Sequence, residues 1–364
     1  MNRLMVPIVN RTNYTKLRPI LTSLNNEDIE LNIIPSSGLV VTSLGDGIKD
    51  IVEDLDIHSM IDCLLKNDTP ESLSKSIGIS IIEHAKTIRE LKPQALLVVG
   101  DRFDMISSVI PALMDNVPIL HIQGGEQTGC IDDKIRDMIS MCSSHHYVST
   151  ELSAERLRRI TGSNNVFNYG CPAVEFISNF PIENKLNVKN FHKHFKDDIP
   201  IRPNEEYFLT IVHPNTVEYN DIDMEIVLES VEDFGLKNII IYPNVDTYNS
   251  KIINAIRKHN KNIIKIKHCP MEDFAQLMAH ASCMIGNSSA GIRESASFAT
   301  PTVNIGTRQQ NRERNNNVVD CVCSKESIVS AINEAMSLQL TTNNIYYQPG
   351  GIQKICSSIM DFIK

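Results

Sequence analysis

The chain has 364 residues, of which 42% are hydrophobic and 22% charged, and its formal net charge is −9 from 35 basic and 44 acidic side chains. These are the proportions of a soluble globular protein, and the length suits two domains of roughly 100–200 residues. The acidic balance argues against nonspecific nucleic-acid binding, which needs a basic face, and no apolar run approaches the ~20 residues of a membrane span.

In the first half, short apolar runs alternate with amphipathic segments. Strands are expected at Leu4–Val9, Ile29–Ile34, Ala95–Val99, Ile119–Ile122, His146–Val148 and Val166–Tyr169, and helices at Tyr14–Leu24, Glu71–Leu91, Asp104–Met114, Asp132–Met141 and Glu151–Ile160. Strands buried on both faces read as unbroken apolar runs, so the pattern predicts βα repetition and a parallel sheet. The stretch NFPIENKLNVKNFHKHFKDDIPIRPNEE, from Asn179, is polar and proline-punctuated, which predicts a linker with one short helix. Alternation resumes with strands at Tyr207–Val212, Asn238–Tyr242, Ile263–Ile266, Cys283–Ile285 and Thr302–Ile305, and helices at Ile222–Asp233, Thr247–Lys258, Met271–His280 and Ala290–Phe298. A helix at Gly351–Ile363 closes the chain. The expected fold class is α/β, with two doubly wound Rossmann-like domains facing a cleft. Residues 1–182 form the first domain, 183–349 the second, and the closing helix in 350–364 packs back toward the first. In such sheets ligands bind beyond the carboxyl ends of the strands.

The nine cysteines are odd in number, form no CxxC pair, and place only Cys321 and Cys323 close together. Reduced thiols in a cytoplasmic protein are expected. The N-terminal apolar stretch is too short for a signal-peptide core. His192 and His194 in FHKHF lack a third ligand nearby and read as surface, not metal.

Several strand ends carry groups capable of chemistry. In MIGNSSAGIRE, small residues let backbone approach a ligand, and free amides at a helix start attract anions. Glu294, about one turn in, could accept from ribose hydroxyls. The plain alternative is a helix capped by Ser288 or Ser289. His213 ends a strand in IVHPN and could face a cleft, but on its own it reads rather as a structural histidine in a turn before Pro214. Asp101 and Arg102 follow a buried strand in VVGDRFD, where an unpaired charge is costly, so they are expected at a site or in helix capping. Arg11 and Lys16 in NRTNYTK either clamp phosphate oxygens or form a solvated basic turn. Asp132 and Arg136, four apart, would share one helix face, where an ordinary ion pair is the bland explanation.

Together these segments resemble one family. NRTNYTKL, GDRFD, HIQGGEQTGCIDDKIR, GCP at Gly170–Pro172, HP at His213–Pro214, YPNVD at Tyr242–Asp246, GNSSAGIRE and NIGTRQ at Asn304–Gln309 are similar, in this order and over nearly the whole chain, to the hydrolysing UDP-N-acetylglucosamine 2-epimerases, which make N-acetylmannosamine for sialic acid. The GDR and GGExTGxIDDxIR patterns resemble the hydrolysing branch. The resemblance implies a GT-B fold with UDP held mainly by the second domain. Ser288, Ser289, Ala290 and Gly291 would contact the diphosphate and Glu294 the ribose, with Asn244 and Arg308 also on the substrate. Arg11 and Lys16 would reach the diphosphate from the first domain, and His213 falls on the family's active-site histidine. Asp101, Arg102, Asp132 and Arg136 fall on sugar-side positions. It implies no metal or other cofactor, and a homodimer or homotetramer whose dimers pack through first-domain helices.

Three positions depart from the family. Its usual glutamate at the third position of HIxGG, a proposed acid/base group, is Gln123 here. Glutamine keeps the volume and hydrogen bonding but takes up no proton near neutral pH, and general acid–base catalysis contributes about 10²–10⁴-fold. The chain is then an inactive variant that traps substrate, a natural relative relying on Asp101, Glu126 or Asp132, or a non-catalytic UDP-sugar binder. The intact remaining motifs favour the first. Asn13 stands where an aspartate is common and Asp137 where a histidine is common. Both would retune the sugar pocket, which keeps open a UDP-2,4-diacetamido-6-deoxy sugar as substrate. A glycosyltransferase shares the fold, but the motifs argue against it.

Overall fold

The computed structural model describes residues 2–41, 47–65, 67, 69–129, 131–186, 201–202, 204–215, 222–243, 249–267 and 269–364. Two compact units emerge, one of Met1–Gln127, Ile131–Phe176 and Tyr346–Lys364, the other of Thr128–Cys130 and Ile177–Ile345. Most of the segment expected as a linker, with His192 and His194, lies outside the described residues, as do Asn244 and Thr247.

The first unit is built on a six-stranded parallel sheet of order β2-β1-β3-β4-β5-β6, comprising β1 (Asn2–Ile8), β2 (Ile29–Pro35), β3 (Ala95–Val99), β4 (Ile119–Ile122), β5 (His145–Val148) and β6 (Val166–Asn168). Strand alternation sends Leu4, Val6, Ile8, Leu97 and Val99 into one core and Met5, Val9, Leu96 and Val98 into another on the opposite face. Helix α1 (Arg11–Leu24) lines the first core; after α2 (Gly47–Asp54), helices α3 (Pro70–Leu91) and α4 (Ile106–Met114) line the second. Then come α5 (Ile131–Met141), α6 (Glu151–Thr161) and α7 (Pro172–Ser178). Helix α1 starts at Arg11, earlier than expected, because the Asn10 side chain caps it by accepting from the Asn13 N–H at 2.8 Å. The expected helix from Asp104 begins instead as a 3₁₀ turn at Phe103–Met105 before α4.

The second unit repeats the design with strand order β12-β11-β10-β7-β8-β9, all parallel. Its strands are β7 (Tyr207–Ile211), β8 (Lys237–Ile241), β9 (Ile263–Ile266), β10 (Cys283–Gly286), β11 (Thr302–Ile305) and β12 (Val318–Cys321). Its helices are α8 (Met224–Glu232), α9 (Asn249–Lys258), α10 (Met271–His280), α11 (Ala290–Arg293) and α12 (Lys325–Ser337). Phe208 and Ile240 face one core, Tyr207, Leu209 and Ile239 the other. The pair β12–α12 has no counterpart among the expected elements. β12 is a half-buried edge strand without a continuous apolar run, and α12 is announced only by its Ser324 cap. The helix expected over Ala290–Phe298 is α11 followed by a 3₁₀ turn at Ser295–Phe298.

The closing helix α13 (Gly351–Ile363) belongs to the first unit and buries Ile352, Ile355, Ile359 and Ile363 in the α1 core. Both oxygens of the buried Glu175 carboxylate, on α7, accept from the helix start, Oε1 from the Gly350 N–H and Oε2 from the Ile352 N–H, each at 2.7 Å. At Gly351 a Cβ would stand 1.9 Å from the Tyr169 carbonyl oxygen, so no side chain fits. Glu175→Ala takes the acceptor from the buried Ile352 N–H and the half-buried Gly350 N–H and is expected to lower stability by about 3 kcal/mol. Urea unfolding measures the loss, and amide exchange should locate it in α13; an unchanged midpoint would show the clamp to be idle.

Candidate active site

In the first unit the strand order reverses between β1 and β3, the switch point where doubly wound sheets bind ligands. The loops after β1, β3 and β4 bring the predicted residues there. Arg136, on α5, is fully buried. Its Nη2 donates to Asp101 Oδ2, and its Nη1 donates to Asp133 Oδ1 at 2.7 Å and to the Glu126 carbonyl at 2.6 Å. Burial opposes the guanidinium charge, but Asp101, Glu126 and Asp133 outweigh it and raise the pKa above its ordinary value. The expected pairing along α5 is thus corrected. Arg136 reaches the i,i+3 neighbour Asp133 and, across the sheet end, Asp101, because it points inward and not along an exposed face. Asp132 is half-buried in the first turn of α5.

Arg102 does not cap the following turn through its side chain. It contacts Asp104 from Nε and Nη2, both at 3.3 Å, and lies over the Phe103 ring at 4.5 Å. Asp104 also accepts from Ser37 Oγ at 2.7 Å. Lys16 is buried, and its Nζ lies 3.4 Å from where a Cβ on Gly100 would stand, so the ammonium sits at the end of β3. Half-buried Arg11 opens α1 at the end of β1. Asn13 is buried in α1, and Asp137 is gripped by Arg156 of α6 through two bonds of 2.7 Å.

Gln123 follows β4 with φ +63 and is buried. Its backbone N–H donates to the Tyr147 carbonyl at 2.8 Å and its Nε2 to Cys171 Sγ at 3.1 Å. His121 holds the strand end below it. Its Nε2 donates to the Gly100 carbonyl at 2.8 Å, so Nδ1 accepts from Ser140 Oγ at 3.1 Å. Burial pushes the His121 pKa down to about 3, which makes it a neutral strut between β3, β4 and α5. Glu126 is buried beside Arg136.

In the second unit the order reverses between β7 and β10. Buried His213 follows β7, and its backbone is gripped by Asn287 after β10: Asn287 Oδ1 accepts from the His213 N–H at 2.7 Å and Nδ2 donates to its carbonyl at 2.8 Å. Gly286, with φ +138, permits this crossing, since a Cβ there would stand 2.0 Å from the Ile211 carbonyl oxygen. Arg308 Nη1 and Gln309 Nε2 donate to the Asn287 carbonyl at 3.1 and 3.0 Å, and Asn215 Nδ2 donates to Thr307 Oγ1 at 3.0 Å. Ser288, Ser289 and Ala290 stay half-exposed beside this knot, with Gly291 buried and Glu294 half-buried one turn on. Ser288 Oγ accepts from the Ala290 N–H at 3.3 Å, and Ser289 makes no side-chain cap.

Among the described residues, which exclude Asn244, each unit brings several of the predicted residues to its own switch point. Asp133, Cys171, Asn287 and Gln309 join them without having been assigned. All four lie inside the quoted motifs, where position alone did not separate them from their neighbours.

Two doubly wound parallel sheets, each with a polar cluster at its switch point, define a GT-B-like protein. Residues 23–360 match the model of the UDP-N-acetylglucosamine 2-epimerase family, and the chain belongs to that family. It is 29% identical to the UDP-N,N'-diacetylbacillosamine 2-epimerase (hydrolyzing) of Legionella pneumophila, over 97% of this chain and 94% of that one. It is 33% identical to the GDP/UDP-N,N'-diacetylbacillosamine 2-epimerase (hydrolyzing) of Campylobacter jejuni, over 81% and 78%. The crystal structure of UDP-GlcNAc 2-epimerase from Neisseria meningitidis bound to UDP-GlcNAc superposes with a TM-score of 0.81 over 99% of this chain and 100% of that chain, at 16% identity, which speaks for the fold.

Proposed function

We propose that the chain is a hydrolysing 2-epimerase that converts UDP-N-acetylglucosamine to UDP and N-acetylmannosamine. The observation that carries this is the charge cluster of the first unit: a buried guanidinium among Asp101, Asp133 and Glu126, with Lys16 at the same strand ends. In the reaction the C2 proton is removed and the C1–O bond to UDP breaks anti to it, leaving a 2-acetamidoglucal. A proton then returns to C2 from the other face as water oxygen bonds to C1. The C2 proton is weakly acidic, so departure of UDP runs ahead and positive charge grows at the ring. Preorganised cationic and N–H groups on the departing diphosphate are then a large contribution. Arg11, Lys16, His213, Arg308 and the segment Ser288–Gly291 are assigned to the nucleotide, with Asn244 alongside and Glu294 on the ribose. Arg102 and Arg136 are assigned to the sugar side.

Proton transfer falls to the carboxylates Asp101, Glu126 and Asp132, while Gln123 binds the sugar. The fit of the Gln123 amide against Cys171 supports an amide as a working part of this site. No metal or redox cofactor is needed by these steps. Self-association through first-unit helices fits the exposed apolar side chains Ile82, Met114, Met138, Met141 and Leu152.

The second reading is the same reaction on a UDP-2,4-diacetamido-6-deoxy sugar; the Legionella and Campylobacter relatives are diacetylbacillosamine 2-epimerases, whose sugar carries two N-acetyl groups. NMR of the chain and of Gln123→Glu with each UDP-sugar decides. The parent chain is expected to release UDP and the free 2-epimerised sugar. Turnover by the glutamate form alone would mark this chain as inactive, and binding without turnover by both would refute the enzyme assignment for that sugar.

A further inference from the structure

Helix α2 lies along one face of α1. Arg11, Tyr14 and Arg18 stand three and four residues apart on α1 and so share that face. The far end of α2 is tied to it: Asp54 Oδ2 accepts from the Tyr14 hydroxyl at 2.5 Å and from Arg18 Nε at 2.6 Å. Ile51 and Leu55 sit in the same core as Tyr14 and Leu17. At its near end α2 begins with buried Gly47, where a Cβ would stand 2.6 Å from Arg11 Cγ, 3.2 Å from Arg11 Cδ and 2.8 Å from Leu39 Cδ1. Carbon atoms pack at about 3.5–4.0 Å, so a side chain at position 47 and the present course of Arg11 exclude each other. Leu39 has little room to give way. It is buried at the end of the 3₁₀ turn Ser37–Leu39, and its N–H donates to the Val9 carbonyl at 3.2 Å. The aliphatic stem of Arg11 is thus pressed against the bare backbone of Gly47 beside Leu39. This constraint acts on the stem and stands whatever else the guanidinium touches.

We propose that Gly47 is a positioning residue for Arg11: by carrying no side chain it sets the course of the arginine stem, and the tie at Asp54 keeps α2 seated so that this course is held. The role rests on the assignment of Arg11 to the diphosphate. A guanidinium is a planar fork whose donors meet phosphate oxygens in pairs, so the direction from which its stem arrives decides whether both bonds form. Glycine is a weaker helix former than alanine, and the close passage of Arg11 gives a reason for it at the start of α2.

The test is a double-mutant cycle on the full chain, with UDP affinity measured by calorimetry in the parent, Gly47→Ala, Arg11→Ala and the double variant. Gly47→Ala should weaken UDP binding about tenfold, part of the contribution of a hydrogen bond to a charged group. In the Arg11→Ala background the same change should cost nothing further, because the group it misplaces is gone. An unchanged affinity in Gly47→Ala overturns the proposal, as does an equal loss in both backgrounds, which is what a merely structural role would give. The side-chain Nε–H resonance of Arg11, identified in ¹⁵N-labelled protein by its disappearance in Arg11→Ala, should shift in Gly47→Ala. Should the alanine form not fold, Leu39→Ala decides, because removing the neighbouring wall must move the same resonance, and an unmoved one overturns the proposal. If Arg11→Ala leaves UDP affinity intact, the assignment of Arg11 to the diphosphate fails and the positioning role with it. If the parent chain binds no UDP, the epimerase reading fails, and the Arg11 resonance in Gly47→Ala alone rules on whether Gly47 sets the course of the arginine.

Discussion

Asp132→Asn is expected to lower kcat by about 10²–10⁴-fold with KM close to the parent value. Epimerisation requires that the proton returned to C2 comes from a group in exchange with water. Asp132 is half-buried in the first turn of α5, next in sequence to Asp133 of the cluster, whereas Glu126 is only 4% exposed. Asp132 combines access to solvent with a place beside the cluster, and asparagine preserves its shape. Steady-state UDP release measures kcat and KM. Turnover in D₂O adds a check, since the free sugar should carry deuterium at C2. Full activity in Asp132→Asn, with the large loss appearing in Glu126→Gln, would move the proton transfer to Glu126.

Arg136→Met is expected to lower stability by about 3–5 kcal/mol, a large share of the roughly 5–15 kcal/mol typical of a folded protein. Arg136 is fully buried, and removing it takes a buried cation away from Asp101 and Asp133 and a donor away from the Glu126 carbonyl. The guanidinium is also what keeps three acidic residues compatible at one sheet end, so its loss should abolish turnover in whatever fraction stays folded. Adding Asp101→Asn removes one uncompensated charge and should recover part of the stability, since neighbours in one network are not additive. Urea unfolding of the two single variants and the double variant tests this. A loss below about 1 kcal/mol in Arg136→Met would show that the cluster does not depend on the guanidinium.

Most strands are legible as short apolar runs, and β3, β4, β7, β10 and β11 are buried along their whole length. β3, β4, β9 and β11 have the bounds read from the sequence. β12 was missed because an edge strand need not be apolar throughout. The start of α1 was misplaced because its signal is a single capping amide, Asn10. In the site, the residue types at the strand ends were legible, but their partners were not. Asp132 and Asp133 both stand at helical spacing from Arg136. Choosing Asp133 and Asp101 takes knowledge of which way α5 turns and which loop lies beside it.

The sequence by itself determined the βα alternation, the family motifs and the glutamine at position 123, because these depend on residue type and short-range period. Tertiary structure decided what those residues touch. Asn287 grips His213 from 74 residues away, Arg136 finds Asp101 from 35, and Gln123 finds Cys171 from 48. Such contacts follow from strand order, which sets the loops that share a sheet end, and strand order is a property of the packed cores that no local stretch encodes.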